Sequence, residues 1–349
     1  MNATSVQHRG IFPYLSADYC FIGLIPAVAV VTGLFAYFNP QYFLLILLLD
    51  LWLLGYHHVI STFTRIGFDK SSVFEHWKLL FPLPVLVCIF VYSGYQFAGG
   101  ILIGSIYLYW QWYHYTRQSE GIAKTYAIKS GSKQFANSPF NRVVFYLVPA
   151  ASFLYLISSG PDQFLTIPIY TFYLPDSFRS FLICLCLVCI AGWLFTAIKA
   201  YIKNEISGLY LGYSLSHFFI YIVSYIVINE INYSWLTINI WHNAQYIAFV
   251  WLYNRKRYAS GIDPMRRVIS YLSQPGRFAQ YLLVCLMFST LTYLFLKWAI
   301  STLHEAAGID LALTGLVYFA INFHHYIVDS KIWKLRKQEI SRNLVSSTG

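Results

Sequence analysis

Residues 41–63 read QYFLLILLLDLWLLGYHHVISTF. At about 1.5 Å of rise per residue, such an apolar run is long enough to cross the roughly 30 Å hydrocarbon core of a bilayer. Yet it carries Asp50 and the adjacent pair His57 and His58. An ionisable side chain inside a membrane is costly, and where one persists it faces protein or water and marks a functional site. This segment therefore predicts a membrane-spanning helix that also belongs to a site.

The rest of the chain extends both expectations. Of the 349 residues, 58% are hydrophobic and only 11% charged, against about 25% charged in soluble domains. The fold class predicted is all-α, a polytopic integral membrane helical bundle of about ten transmembrane helices. The spans fall near 20–38, 41–63, 78–97, 99–118, 142–159, 178–201, 206–229, 235–254, 278–299 and 308–333. Gly99 and Gly100 alone separate the third from the fourth, and Pro149 lies within the fifth. No soluble second domain is expected: residues 1–349 read as one transmembrane domain, with a short tail at 1–19 and a basic tail at 334–349. The first span reads as a retained signal anchor, since no cleavage site follows it.

The formal charge of +10 is explained by topology rather than by nucleic acid, for which no binding module is present. Basic residues cluster in the tails and after the second, fourth, sixth and eighth spans. Of the 24 lysines and arginines, only Arg179 and Lys297 fall on the opposite side. The positive-inside rule then places both termini in the cytoplasm of a multi-pass protein in an inner or plasma membrane. The cysteines sit in or at the edges of apolar segments; Cys186 and Cys189, three apart without a histidine partner, are expected to pack.

Five spans carry histidine: His57 and His58, His114, His217, His242, and His324 and His325 followed by Asp329. Counted along a helix, His114 lies within about 6 Å of the cytoplasmic end, His57 about 9 Å, His325 about 12 Å, and His217 and His242 about 17–18 Å. One cytoplasm-facing layer can hold them all. Each also sits in a polar stripe at helical spacing: Asp50, His57 and Ser61; Gln111 and His114; Tyr213, His217 and Tyr221; Asn239, His242 and Tyr246; Asn322, His325 and Asp329.

Imidazole is the commonest metal ligand, and histidine with carboxylate suits iron or zinc, iron being usual where oxygen is activated. The candidate ligands are His57, His58, His114, His242, His324 and His325, for one or two metal ions. His57, His114, His242 and His325 form the core of the expectation; His217 is the outlier, because Ser and Tyr neighbours can satisfy it. Asp329 and Asp50 are the candidate catalytic or supporting carboxylates.

Such a site resembles, in class, that of integral-membrane non-haem iron enzymes: desaturases, hydroxylases and carotenoid-cleaving oxygenases. The desaturase HxxxH and HxxHH boxes are absent, so no residue role is carried over. The resemblance implies an oxidoreductase acting on a lipid, isoprenoid or other hydrophobic molecule within membrane lipid, with an external electron donor unless the reaction is a dioxygenation. The alternatives are a metal-ion or proton-coupled transporter using Asp50, His217 and His242, a b-type haem protein ligated by His217 and His242, and a membrane acyltransferase using His242 and Asn243 or His325.

Overall fold

The computed structural model describes residues 10–307, 312–335 and 338–345. Arg9, Arg336, Lys337 and the expected start of the last span at 308–311 lie outside the described residues. Among the described residues the chain is helical, apart from one two-stranded hairpin.

Seven helices are long and apolar enough to cross a membrane. They are α1 (Leu15–Phe38), α2 (Pro40–Ile66), α3 (Trp77–Lys129), α4 (Pro139–Ile157), α5 (Asp176–Ile202), α6 (Gly208–Ile228) and α8 (Phe278–Ala306). Two more long helices are α7 (Ile231–Arg257) and α9 (Ala312–Ile332). A short helix, α10 (Gln338–Val345), follows.

The 53 residues of α3 are not one straight rod. Ala98 (φ −139°, ψ 15°) and Gly99 (φ 70°, ψ −169°) leave helical geometry, in a region open to glycine because it lacks a Cβ. The break falls at the Gly99–Gly100 step that separates two expected spans. The second arm continues past its expected end, from 118 to Lys129. Pro149 is accommodated inside α4, which runs unbroken across it.

Helix α7 forms the axis of the bundle. It packs against α1, α2, α6 and α10, so Thr237, Asn239, His242, Asn243, Gln245 and Asn254 are all buried. Several of its polar groups find partners within the protein. Asn239 donates to Asp50 at 2.6 Å, Gln245 accepts from Tyr213 at 3.1 Å, and Asn254 donates to Thr64 at 3.2 Å. The α1–α7 crossing depends on Gly33, where a Cβ would lie 1.8 Å from Thr237 Oγ1.

The bundle has two different ends. Beside Gly104 of α3, the hairpin Gln163–Phe164 with Ile167–Pro168 is tied down by its backbone. Leu165 N–H donates to Asn232 Oδ1 at 2.8 Å, and Tyr170 N–H donates to Ser105 Oγ at 2.7 Å. At the Lys124 end of α3 the bundle opens instead into a cleft. After α2, Asp69 caps the helix Lys70–Glu75 by accepting from Ser72 N–H at 2.8 Å, and it lies 3.4 Å from Arg266 Nε. Burial pushes its carboxyl up, but bonds from Ser71 and Ser72 and the Arg266 charge outweigh this and hold it below its ordinary 3.8.

Candidate metal centre

The α2 segment Leu51–Gly55 is π-helical. A π turn inserts one residue into the helical register, and such turns are frequent at functional sites. In an unbroken α-helix Asp50 and His57 share a face, seven residues apart. The inserted residue hands that face to His58 instead. Asn239, the partner of Asp50, accordingly lines the same small cavity as His58.

His58 of α2, His114 of α3, and His325 and Asp329 of α9 each place one donor atom within 4.8 Å of the others, and all four are buried. His58 Nε2 and His325 Nε2 face each other at 2.6 Å, and Asp329 Oδ2 lies 3.5 Å from His325 Nε2. Donors bonded to one ion at about 2.1 Å stand about 3.0–4.2 Å apart, depending on the angle between them, and the observed separations bracket that range. His325 Nδ1 lies 3.0 Å from Thr62 Oγ1, which lies 2.7 Å from the Tyr246 hydroxyl and 3.3 Å from Asp329 Oδ1. A tautomer with Nδ1–H donating to Thr62 would leave the Nε2 lone pair of His325 free to ligate.

Several polar atoms of these residues are unmatched by protein. His58 Nδ1, His114 Nε2 and Asp329 Oδ2 are buried without a hydrogen-bond partner among the described residues. Each such atom costs about 1–3 kcal/mol, and more where it carries charge. A cation among three imidazoles and a carboxylate recovers part of that cost, so this donor set fits a metal.

Around the donors lies a supporting layer. Tyr246 O–H donates to Asp329 Oδ1 at 2.7 Å and accepts from Trp333 Nε1 at 3.0 Å. Its ring stacks on His58 at 4.3 Å between centroids. Trp333 is itself held by Arg65, whose guanidinium lies 4.4 Å from the Trp333 ring and 3.9 Å from that of Tyr253. His114 stacks on Tyr326 at 4.3 Å. Ligating groups need such partners to fix ring orientation.

His242 stands beside the four donors. Its ring centroid is 4.8 Å from that of His58 and 5.2 Å from that of His114, it stacks on Tyr115 at 3.8 Å, and neither ring nitrogen has a hydrogen-bond partner among the described residues. With His58 and His325 it lines an inner cavity of about 20 Å³, together with Asn239, Asn243 and Asn322. That is room for about one water molecule. On the other side, His114, Asp329, Tyr246 and Tyr326 line the outer cleft of about 620 Å³. The four donors thus form the partition between a small polar chamber and a large amphipathic one.

The remaining expected residues lie elsewhere. His57 turns Nδ1 to the Leu53 carbonyl at 3.3 Å, and His324 bonds the Leu79 carbonyl at 2.6 Å while facing Phe63. Neither joins the four-donor group. Asp50 also stands outside it, tied to Asn239, which accepts from Tyr115 O–H at 2.5 Å. His217 uses both nitrogens, with Ser119 Oγ at 2.9 Å and the Phe145 carbonyl at 3.0 Å. It has no lone pair left for a haem iron or a transported ion.

Thr62 and Trp333 escape a reading built on histidines and carboxylates, whereas Tyr246 belongs to the His242 stripe read from the sequence. The signal for Thr62 was present: it lies four residues after His58, as Asp329 does after His325. Trp333 lies four residues after Asp329 in turn. The chain matches no protein-family model, no curated protein and no solved structure, so a functional reading rests on the site itself.

Proposed function

We propose that the protein is a multi-pass membrane oxidoreductase of the oxygenase kind, with non-haem iron held by His58, His114, His325 and Asp329. Its substrate is a hydrophobic lipid or isoprenoid-like molecule bound in the outer cleft. One observation carries the reading: three imidazoles and a carboxylate from three helices converge on a buried point between a small polar chamber and an open cleft. Nitrogen and oxygen donors without thiolate suit iron that keeps positions open for other ligands. Bound ferrous iron would supply the one-electron chemistry with dioxygen that protein side chains lack.

The protein's own groups do the rest. Tyr246 and Thr62 hold Asp329 and His325 in place. His242, with both nitrogens unengaged, is positioned to move a proton in the inner chamber. Trp110, Tyr326 and Trp333 give the cleft an aromatic wall that positions an apolar chain and keeps water away.

The topology follows from the same features. Dividing α3 at Gly99 and adding α7 and α9 to the apolar helices supports ten crossings, with both termini cytoplasmic. The cleft opens where Arg117, Lys124, Arg142 and Lys334 gather, the side that the positive-inside rule assigns to the cytoplasm. An external donor would deliver electrons from that side.

The test is elemental analysis of protein purified in mild detergent, with oxygen uptake measured on reduction. Iron near one or two ions per chain, lost in His325→Ala, supports the proposal. Protein that binds no iron when loaded anaerobically, or whose bound iron is unaffected by His325→Ala, overturns it.

A further inference from the structure

The cleft is built from two unlike ends. Its inner end is His114, Asp329 and aromatic rings; its outer end is basic. Along α3, His114, Arg117, Gly121 and Lys124 share the face that lines it. Arg117 is one turn beyond His114, about 4.5 Å of helix rise, and Lys124 is about 15 Å beyond. Arg142 of α4 and Lys334 after α9 line the same outer end.

The acidic groups do not balance this end. Glu120 is the carboxylate there: its Oε1 accepts from Lys124 Nζ at 2.6 Å and lies 3.8 Å from Arg142 Nε, and its Oε2 accepts from Tyr146 O–H at 2.8 Å. Asp329 lies at the far, inner end with the histidines. Arg117 is exposed and donates to the Tyr113 hydroxyl at 3.4 Å. Among the described residues, one carboxylate stands against Arg117, Lys124 and Arg142 at the outer end, which leaves it positive. Arginine and lysine beside an apolar chamber are the groups that hold carboxylate or phosphate.

We infer that the cleft binds a single-chain amphiphile with an anionic headgroup, carboxylate or phosphate, held by Arg117 and Arg142, with its apolar chain directed along Tyr326 towards His114 and Trp110. The inference rests on the proposed function only in making this molecule the substrate; the binding itself needs no metal. A volume of about 620 Å³ falls within the range of about 300–1,000 Å³ for small-molecule sites and suits one chain rather than a bulk phospholipid.

The experiment uses the full chain in nanodiscs of zwitterionic lipid and follows tryptophan fluorescence with dodecanoate, dodecyl phosphate and dodecanol. The expected result is that both anions bind at least tenfold more tightly than the alcohol. Arg117→Gln with Arg142→Gln removes that preference while metal content and melting temperature stay as in wild type. Binding persists in His58→Ala/His325→Ala protein that holds no metal, so failure of the metal reading is seen separately. Equal affinity for dodecanol, an unchanged preference in the double Gln variant, or displacement of dodecanoate by equimolar phosphatidylglycerol overturns the assignment.

Discussion

Removing one phenolic oxygen, in Tyr246→Phe, tests whether the layer around the donors serves the metal. The substitution keeps the ring and therefore its stack on His58 at 4.3 Å. It deletes the 2.7 Å bond to Asp329 Oδ1 and leaves Trp333 Nε1 without its 3.0 Å acceptor. Asp329 Oδ1 keeps the longer contact from Thr62 at 3.3 Å, and Thr62 loses its own 2.7 Å bond to Tyr246. A hydrogen bond to a charged group contributes about 1.5–3 kcal/mol. At about 1.4 kcal/mol per factor of ten, metal affinity should fall roughly 10- to 100-fold, the range found for partners of metal ligands. The assay is anaerobic titration of metal-free protein with Co(II) against a competing chelator, read from the visible bands of bound cobalt. Thermal melting of the metal-free form separately reports the cost of the orphaned Trp333 N–H, about 1–3 kcal/mol. A dissociation constant within twofold of wild type, with only the melting temperature lowered, would show that Tyr246 merely packs and would refute the reasoning.

Other perturbations separate neighbouring residues. His58→Ala should abolish stoichiometric metal binding, whereas His57→Ala should retain it within about threefold, because only His58 is among the four donors; the same titration decides. Gly33→Ala drives a Cβ against Thr237 Oγ1 and should cost about 1–3 kcal/mol by overpacking, partly recovered by Thr237→Ala, as judged by melting in detergent. Asp69 has its carboxyl held below 3.8, so its contribution is present above about pH 4 and lost as pH falls through the lower, folded value. Asp69→Ala should lose about 1 kcal/mol of cap stability at neutral pH and flatten the acid limb of a melting-temperature profile taken from pH 3 to 7.

Apolar length made the seven membrane-competent helices legible, and the Gly99–Gly100 step marked the break in α3. Periodicity also placed Asn322, His325 and Asp329 on one face, and Asn239, His242 and Tyr246 on another. Periodicity misled at the pair His57 and His58. Spacing from Asp50 favours His57 in an α-helix, and the π turn at Leu51–Gly55, which no composition signal announces, transfers that face to His58. The His324 and His325 pair needed no such device, since Asp329 lies four residues after His325 and marks the inward member. What remained illegible is tertiary: that His217 finds Ser119 and Phe145, that Trp333 reaches Tyr246 from just beyond α9, and that the polar helix α7 is sheathed by α1, α2 and α6.

The most direct measurement is X-ray absorption on the iron-loaded, full-length protein. A shell of nitrogen and oxygen scatterers at about 2.0–2.2 Å, with outer-shell imidazole scattering from about three histidines and no sulfur, is the expected result, reduced by one imidazole in His114→Ala. Iron that is absent, bound through sulfur, or surrounded by water alone would contradict a centre built from His58, His114, His325 and Asp329.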